Sequence, residues 1–170
     1  MADTSKITAF FEKLDSLENK YRVRFKRSCG LLLKESDTET MQTFYRLLPH
    51  NVGYSEEDLW FTAACIHCLW AADETHRRPM QECIAGVKDS SESFEKRFTG
   101  LLETQWDEDG YLCGKLERMA KLLKQKGYAV DGAELLSALL WWNDEEKRVQ
   151  KRWIKVYWRT EQKNEETEGE

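Results

Sequence analysis

Apolar residues recur along most of the chain at intervals of three and four positions, the period of an amphipathic α-helix. No segment shows the period of two that a half-buried strand would have. The first apolar stripe consists of Ile7, Phe10, Phe11, Leu14, Leu17 and Tyr21. Further helices are predicted between Thr38 and Pro49 and over residues 59–72, 79–88, 91–104, 108–126, 131–142 and 144–161. The pattern predicts an all-α fold, a compact helical bundle of about eight helices that could divide into two packed sub-bundles.

Residue types with known terminal preferences mark several of these boundaries. Ser55 and Asp58 have the spacing of a capping pair in front of the third predicted helix. Gly127 is typical of the residue that follows a helix, and Asp131 is typical of the residue that caps the next one. These positions support the helical interpretation without recourse to composition.

The chain has 170 residues, 41% hydrophobic and 12% aromatic, which is enough apolar surface for one domain with its own core. We expect residues 1–160 to form a single all-helical domain, followed by an acidic, disordered tail over residues 161–170. The longest mostly apolar stretch, residues 59–72, has 14 residues, whereas a membrane span needs about 20. No membrane association is therefore expected.

The five cysteines are irregularly spaced and do not indicate a disulfide framework. The first residues, MADTSK, lack the basic and apolar regions of a secretory signal. Because free thiols persist in reducing compartments, we expect a cytoplasmic protein.

Charge is strongly segregated, although the net charge is only −5. Residues 20–27 contain five cations and no acid, residues 115–126 five cations and one acid, and residues 147–159 six cations and no acid. These three basic segments carry +15, so the rest of the chain carries −20. Segregated basic stripes indicate a polyanionic partner, which the net charge alone would argue against.

The segment 147–159 forms the clearest cationic face. On a helical wheel its six cations fall within an arc of about 140°, opposite the apolar side chains. Trp158 lies inside this arc, and a cationic face with an aromatic ring suits phosphate neutralisation combined with base stacking. The alternative is a solvated face whose Lys and Arg stems cover the core. An ordinary solvated face mixes both signs, however, and this one has no acid.

The other two basic segments give weaker signals. In the second, Arg118, Lys121 and Lys124 share the polar arc, but Glu117 dilutes its charge. In the first, the five cations spread over roughly 200°, which a solvated face explains nearly as well as a binding face.

Candidate catalytic and metal chemistry is weak. Cys65 and Cys68 could meet on one helix face and bind zinc, but they lie in an apolar helix where small thiols usually fill the core. The run from Gly110 to Lys115 is one residue short of a P-loop and lacks its Ser or Thr. No histidine has an obvious nucleophile partner. We predict a binding protein that is not an enzyme and has no metal and no cofactor.

The chain resembles the CasB family, the small subunit of Cascade, the type I-E CRISPR surveillance complex. The resemblance covers roughly residues 20–160 and is carried by the order and spacing of several segments. These are Ser93 to Phe98, Leu116 to Lys124 with Gly127, Val130-Asp131 and Leu135-Leu136, and Val149 to Trp153 with Tyr157-Trp158; Arg22 to Arg27 and Tyr45 to Pro49 match more weakly. The chain departs from the family pattern at Gly132, where members tend to carry an aromatic residue, and in its acidic balance and tail.

The resemblance implies an all-helical, non-catalytic subunit that is present in two copies beside the guide RNA–target duplex. Its expected partners are the other Cascade subunits, a second copy of itself, the CRISPR guide RNA, and the target and non-target DNA strands. Its expected role is to stabilise the R-loop through sequence-independent backbone contacts. The candidate contact residues are Arg22, Lys26, Arg27, Lys96, Arg97, Arg118, Lys121, Lys124, Arg148, Lys151, Arg152, Lys155, Trp158 and Arg159. The alternative is a helical protein–protein adaptor whose basic stripes bind an acidic partner.

Overall fold

The structure, a computed structural model, describes residues 3–88 and 91–168, with side chains described up to residue 159. Helices dominate this part of the chain, which confirms the all-α prediction. The α-helices are α1 (Thr4–Asp15), α2 (Asn19–Arg27), α3 (Thr38–Leu47), α4 (Glu57–His67), α5 (Met80–Val87), α6 (Glu92–Glu103), α7 (Tyr111–Gln125), α8 (Gly132–Leu139) and α9 (Arg148–Glu168). Short 3₁₀ turns at Leu33–Glu35 and Tyr54–Glu56 precede α3 and α4.

The first apolar stripe is divided between two helices, where the sequence predicts one. The Ser16 side chain donates to the Glu12 carbonyl at 2.8 Å, and Glu18 takes an extended conformation before α2 begins. Side-chain hydrogen bonds of this kind compete with helix continuation. The chain therefore turns between α1 and α2 without losing the apolar face of either helix.

A small parallel sheet joins two loops for which the sequence predicts no strand. The strands are β1 (Arg77–Arg78) and β2 (Ala129–Val130), and they pair in register Arg77 to Ala129. Two residues are too few to produce a visible alternation of polar and apolar positions, so the pattern could not predict them.

Helix α4 occupies the centre of the core. Every residue from Leu59 to His67 is buried, and the helix packs against α2, α7 and α8. Trp60 meets Phe10 edge-on at 5.2 Å between ring centroids. A helix that is apolar on all sides is expected to be surrounded by other elements. Most of the buried apolar side chains form one cluster that extends from Ile7 to Tyr157.

The junction before α8 shows why Gly132 replaces a larger residue. Asp131 caps α8 as predicted, accepting from the backbone N–H groups of Ala133 and Glu134. A Cβ atom on Gly132 would lie 2.6 Å from both His67 Cβ and Phe11 Cε1. The space that an aromatic side chain would need at this position is therefore filled by α1 and α4.

The other predicted boundaries differ by a few residues. Asp58 accepts from the backbone N–H of Leu33 at 2.9 Å, so the predicted capping pair with Ser55 is wrong. Helix α4 ends at His67, five residues before its predicted end. None of the helices described here is long and apolar enough to cross a membrane.

Helix α9 continues to Glu168, through most of the segment where the sequence predicts a disordered tail. Its Glu, Gln and Lys residues are good helix formers, and extending an anchored helix costs little. Residues 169–170 lie outside the described residues, as do the side chains from 160 onward. The division into a 1–160 domain and a 161–170 tail stays a prediction.

Candidate nucleic-acid interface

Helix α9 presents a cationic face to solvent. Val149, Trp153 and Tyr157 are buried against the core, as the wheel predicts, and Trp153 meets Trp142 edge-on at 5.2 Å. The opposite side of the helix is exposed, and it carries Lys151, Arg152, Lys155, Trp158 and Arg159. None of these four cations forms an ion pair with the side chains that the structure describes. The cationic face, defined by these five residues, is therefore open.

Arg148 begins the same helix but is engaged locally. Its Nε lies 3.6 Å from Asp144 Oδ2, although the Arg148 side chain remains largely exposed. Its charge is thus partly neutralised within the chain, and it is a weaker candidate for a phosphate contact than the cations that follow it.

Trp158 is 42% exposed on the cationic face, and a lysine that lies outside the three basic segments contacts its ring. Lys88, at the end of α5, places its ammonium 4.1 Å from the Trp158 ring centroid and 4.4 Å from that of Tyr157. Lys88 is distant in sequence from all three basic segments and is isolated among mixed residues, so no local pattern marked it.

A second cationic surface is the groove between α6 and α7, which has a volume of about 940 Å³. Lys96 and Arg97 project from α6, and Arg118 and Lys121 from α7. A smaller, adjoining groove shares Arg97 and adds Lys126. The structure thus assembles four predicted residues, widely separated in sequence, around one concave surface.

Neighbouring acids modify this groove. Lys96 pairs with Glu92 at 3.3 Å and Lys121 with Glu117 at 2.6 Å, and the Glu117 hydrogen bond raises the pKa of Lys121. Arg97 and Arg118 are exposed and have no ion pair among the described side chains. The two arginines are therefore the strongest anion-binding candidates in the groove.

Lys115 and Lys126 line these grooves but are absent from the predicted site. Lys115 donates to Thr104 Oγ1 at 2.6 Å and lies 3.4 Å from the Gly100 carbonyl, so it ties α7 to α6. Both lysines belong to the basic segment 115–126, and its charge count was the signal that could have included them.

The first basic segment meets the second at the end of α2. Lys124 donates to the carbonyl of Leu69. Burial lowers the pKa of Lys124, and the adjacent charge of Lys26 lowers it further. Lys26 and Arg27 are exposed, so the C-terminal end of α2 and the C-terminal end of α7 form one cationic surface. None of the described α9 cations lines the α6–α7 groove.

Arg22 does not belong to any of these surfaces, which corrects its predicted role. Its side chain is 4% exposed, and its Nη2 donates to Asp15 Oδ1 at 3.2 Å and to the Trp70 carbonyl at 3.3 Å. Together with Phe25, Arg22 is one of the buried residues of α2. It is a structural residue that joins α2 to α1.

The cysteines are buried, free thiols. Burial raises the pKa of Cys68 to about 12 and that of Cys65 well above its usual range. Thiolate formation, which zinc binding and nucleophilic chemistry both need, is therefore disfavoured. Among the described residues no group of three or more His, Cys, Asp or Glu side chains could hold a metal ion.

These features define a class of protein: an all-helical domain with an open cationic helix face and a cationic groove. Comparison with known proteins narrows the class. The sequence profile of CRISPR-associated protein Cse2 matches residues 24–158. The chain belongs to the Cse2 family, whose structures also carry the name CasB, and the resemblance found in the sequence is thereby confirmed.

One curated relative, the CRISPR-associated protein Cse2 of Thermus thermophilus, is 31% identical over 103 residues. That match covers 61% of this chain and 57% of the relative, so it spans little more than half of the relative's length.

Solved structures show the same fold over nearly the whole chain. A Cse2-family protein from Thermus thermophilus has a TM-score of 0.76 at 24% identity, covering 93% of this chain and 99% of that one. CasB of M. ruber has a TM-score of 0.74 at 24% identity, covering 97% and 99%. A chain of a CRISPR RNA-guided surveillance complex has a TM-score of 0.77 at 16% identity, covering 96% and 98%.

Proposed function

We propose that this chain is a non-catalytic, nucleic-acid-binding subunit of a CRISPR RNA-guided surveillance complex. In this role its cations contact backbone phosphates and stabilise the R-loop formed by guide RNA, target strand and displaced strand. The observation that carries the proposal is the cationic face of α9, where four exposed cations have no acidic partner among the described side chains. Family membership supports the same role.

The energetics of R-loop formation make such contacts effective. The RNA–DNA heteroduplex is about as stable as the DNA duplex that it replaces, so modest protein–backbone contacts can shift the exchange. Phosphate contacts carry no sequence information, which suits a complex whose guide varies. In the proposed role, the α9 face and the arginines of the α6–α7 groove supply contacts of this kind.

The partners follow from the same assignment. The −20 carried by the rest of the chain would repel nucleic acid and leaves ample acidic surface for protein contacts. We propose that the other complex subunits contact these acidic regions, so that the basic surfaces stay turned toward the guide RNA and the two DNA strands. A second copy of the chain is a further proposed partner.

Salt dependence of binding to a short single strand tests the proposal. Replacing Lys151, Arg152 and Lys155 with Ala removes no core atom, and Ala is the best helix former. If each cation neutralises one phosphate, the log–log salt slope should fall by about 2 for the triple variant. The loss should be alike for unrelated sequences.

A matched variant with Lys6, Lys13 and Lys34 changed to Ala loses the same charge outside the basic segments and should bind as wild type. Equal salt slopes for the two triple variants would contradict the proposed interface. If the wild-type chain binds an acidic protein partner but no single strand at low salt, the adaptor alternative replaces the proposal.

A further inference from the structure

Lys88 contacts α9 where two aromatic rings meet. The ring centroids of Tyr157 and Trp158 lie 5.2 Å apart, and the ring planes are nearly perpendicular, at an angle of 79°. The Lys88 ammonium lies 4.4 Å from one ring centroid and 4.1 Å from the other. Both distances are within the range in which a cation is attracted to an aromatic face.

The two rings differ in how firmly the core holds them. Tyr157 is 1% exposed, and its ring stacks on Phe98 of α6 at 4.5 Å and 17°. Trp158 is 42% exposed, and among the described residues its ring contact is with Tyr157. Lys88 therefore connects this exposed ring to the Tyr157 ring, which the core already holds in place. It lies over one face of Trp158 while the side chain remains accessible to solvent.

The accessible part of Trp158 lies beside cations on its own helix. Lys155 is three residues before Trp158 and Lys151 is seven before it, spacings that place side chains on one helix face. Both lysines are exposed. A base stacked on Trp158 would thus have its phosphate within reach of an ammonium group, which is the pairing that non-specific single-strand sites use.

We propose that Lys88 is a positioning residue: it holds the Trp158 ring in the orientation that stacks on an unpaired base of a single-stranded nucleic acid. This inference rests on the proposed function and adds the kind of ligand, a single strand with unstacked bases. Lys88 affects binding through the position of the Trp158 ring and not through a contact with a nucleic-acid phosphate, because its ammonium lies over the Tyr157 and Trp158 rings.

The expected effects of substitution distinguish Lys88, which positions the Trp158 ring, from Lys155, which contacts a phosphate. Trp158→Ala should weaken single-strand binding by roughly 5- to 150-fold, the range for loss of one base–aromatic stack, with an unchanged salt slope. Lys88→Met keeps the apolar stem and removes the charge; it should weaken binding by about 2- to 10-fold, the cost of ordering one side chain, again with an unchanged slope. Lys155→Met should instead reduce the slope by about 0.7.

The test is a double-mutant cycle on the full chain with a short poly-dT strand at low salt. Lys88→Met should have no further effect in the Trp158→Ala background, because its whole contribution passes through that ring. Lys88→Arg, which keeps a cation over the ring, should restore binding. Acrylamide quenching of Trp158, taken as the difference between each protein and its Trp158→Phe counterpart, should increase in Lys88→Met if the ring is released.

Three outcomes would overturn the inference: a reduced salt slope in Lys88→Met, an additive effect in the Trp158→Ala background, or wild-type affinity for Lys88→Met. If the α9 triple variant lowers the slope while Trp158→Ala binds normally, the inference fails and the proposed function stands. If neither variant changes binding, both fail.

Discussion

Asp15 binds both Arg22 and His67, and this cluster explains why a predicted phosphate contact is structural. The Arg22 guanidinium donates to Asp15, and His67 Nε2 lies 3.1 Å from both Asp15 oxygens. Burial alone would raise the pKa of Asp15, but the hydrogen bond from His67 and the charges of Arg77 and Arg22 lower it. The cluster joins α1, α2 and α4 through groups that must stay paired.

Both nitrogens of His67 are engaged, which fixes its protonation state. The backbone N–H of Gly132 donates to His67 Nδ1 at 3.0 Å, so the proton of the neutral ring lies on Nε2 and faces Asp15. A second proton on Nδ1 would point at the Gly132 N–H. Burial lowers the pKa of His67 and nearby Arg77 lowers it as well, while Asp15 and Asp131 oppose this shift.

Stability should therefore decrease as the pH falls below 6.5, the ordinary pKa of histidine. In that range the unfolded chain binds a proton that the native chain does not, so the free energy of unfolding falls with pH down to the native pKa. Asp15 contributes a separate loss that starts only below its ordinary pKa of 3.8. Urea unfolding of wild type and His67→Gln at about pH 7.5 and about pH 5 measures the effect. Between these two pH values the free energy of unfolding should decrease less for the variant than for wild type, because the variant lacks the contribution of His67. An identical decrease in both proteins would contradict the neutral, buried state of His67.

Two helical glycines differ in the space that is available for a side chain: Gly132 of α8 is crowded by α1 and α4, and Gly114 of α7 is not. Gly132→Ala should reduce the free energy of unfolding by about 1–3 kcal/mol, because its Cβ would collide with Phe11 and His67. Gly114→Ala in α7 meets nothing within 4 Å and should increase it by about 0.5–1 kcal/mol through helix propensity. Urea denaturation of both variants is the measurement. A destabilising Gly114→Ala or a neutral Gly132→Ala would show that the packing differs from that described.

At the level of helices, the sequence predicted most of the fold, because amphipathic periodicity depends on residues only three or four positions apart. The core side of α9 was predicted from this periodicity, and the Asp131 cap from the preference of Asp for helix starts. The burial of Arg22 was not, because it depends on the contact with Trp70, far away in the sequence. The break at Ser16 was not either: the Ser16–Glu12 hydrogen bond is local, but the apolar spacing continues across it. Charge counting identified the basic segments, but not that α6 and α7 enclose a groove or that Lys88 meets Trp158.

For the molecule as a whole, one continuous core supports several cationic surfaces. The α9 face lies outside the α6–α7 groove, and the α2–α7 junction adds a third cationic region at Lys26 and Lys124. A single phosphate-binding site would not need this distribution. Several backbone contacts spread over the surface are what an extended strand or duplex would need, and each of them would add to the salt dependence of binding.

The lifetime of the R-loop in the assembled complex is the decisive measurement for the proposed role of the α9 cationic face. Complexes with guide RNA should be prepared with wild-type chain, with the α9 triple variant at Lys151, Arg152 and Lys155, and with the matched triple variant at Lys6, Lys13 and Lys34. We expect that all three assemble, that only the α9 variant shortens the R-loop lifetime, and that the difference shrinks as salt rises because screening weakens the wild-type contacts. An α9 variant that assembles normally and holds the R-loop as long as wild type at every salt concentration would contradict the proposed role of the cationic face.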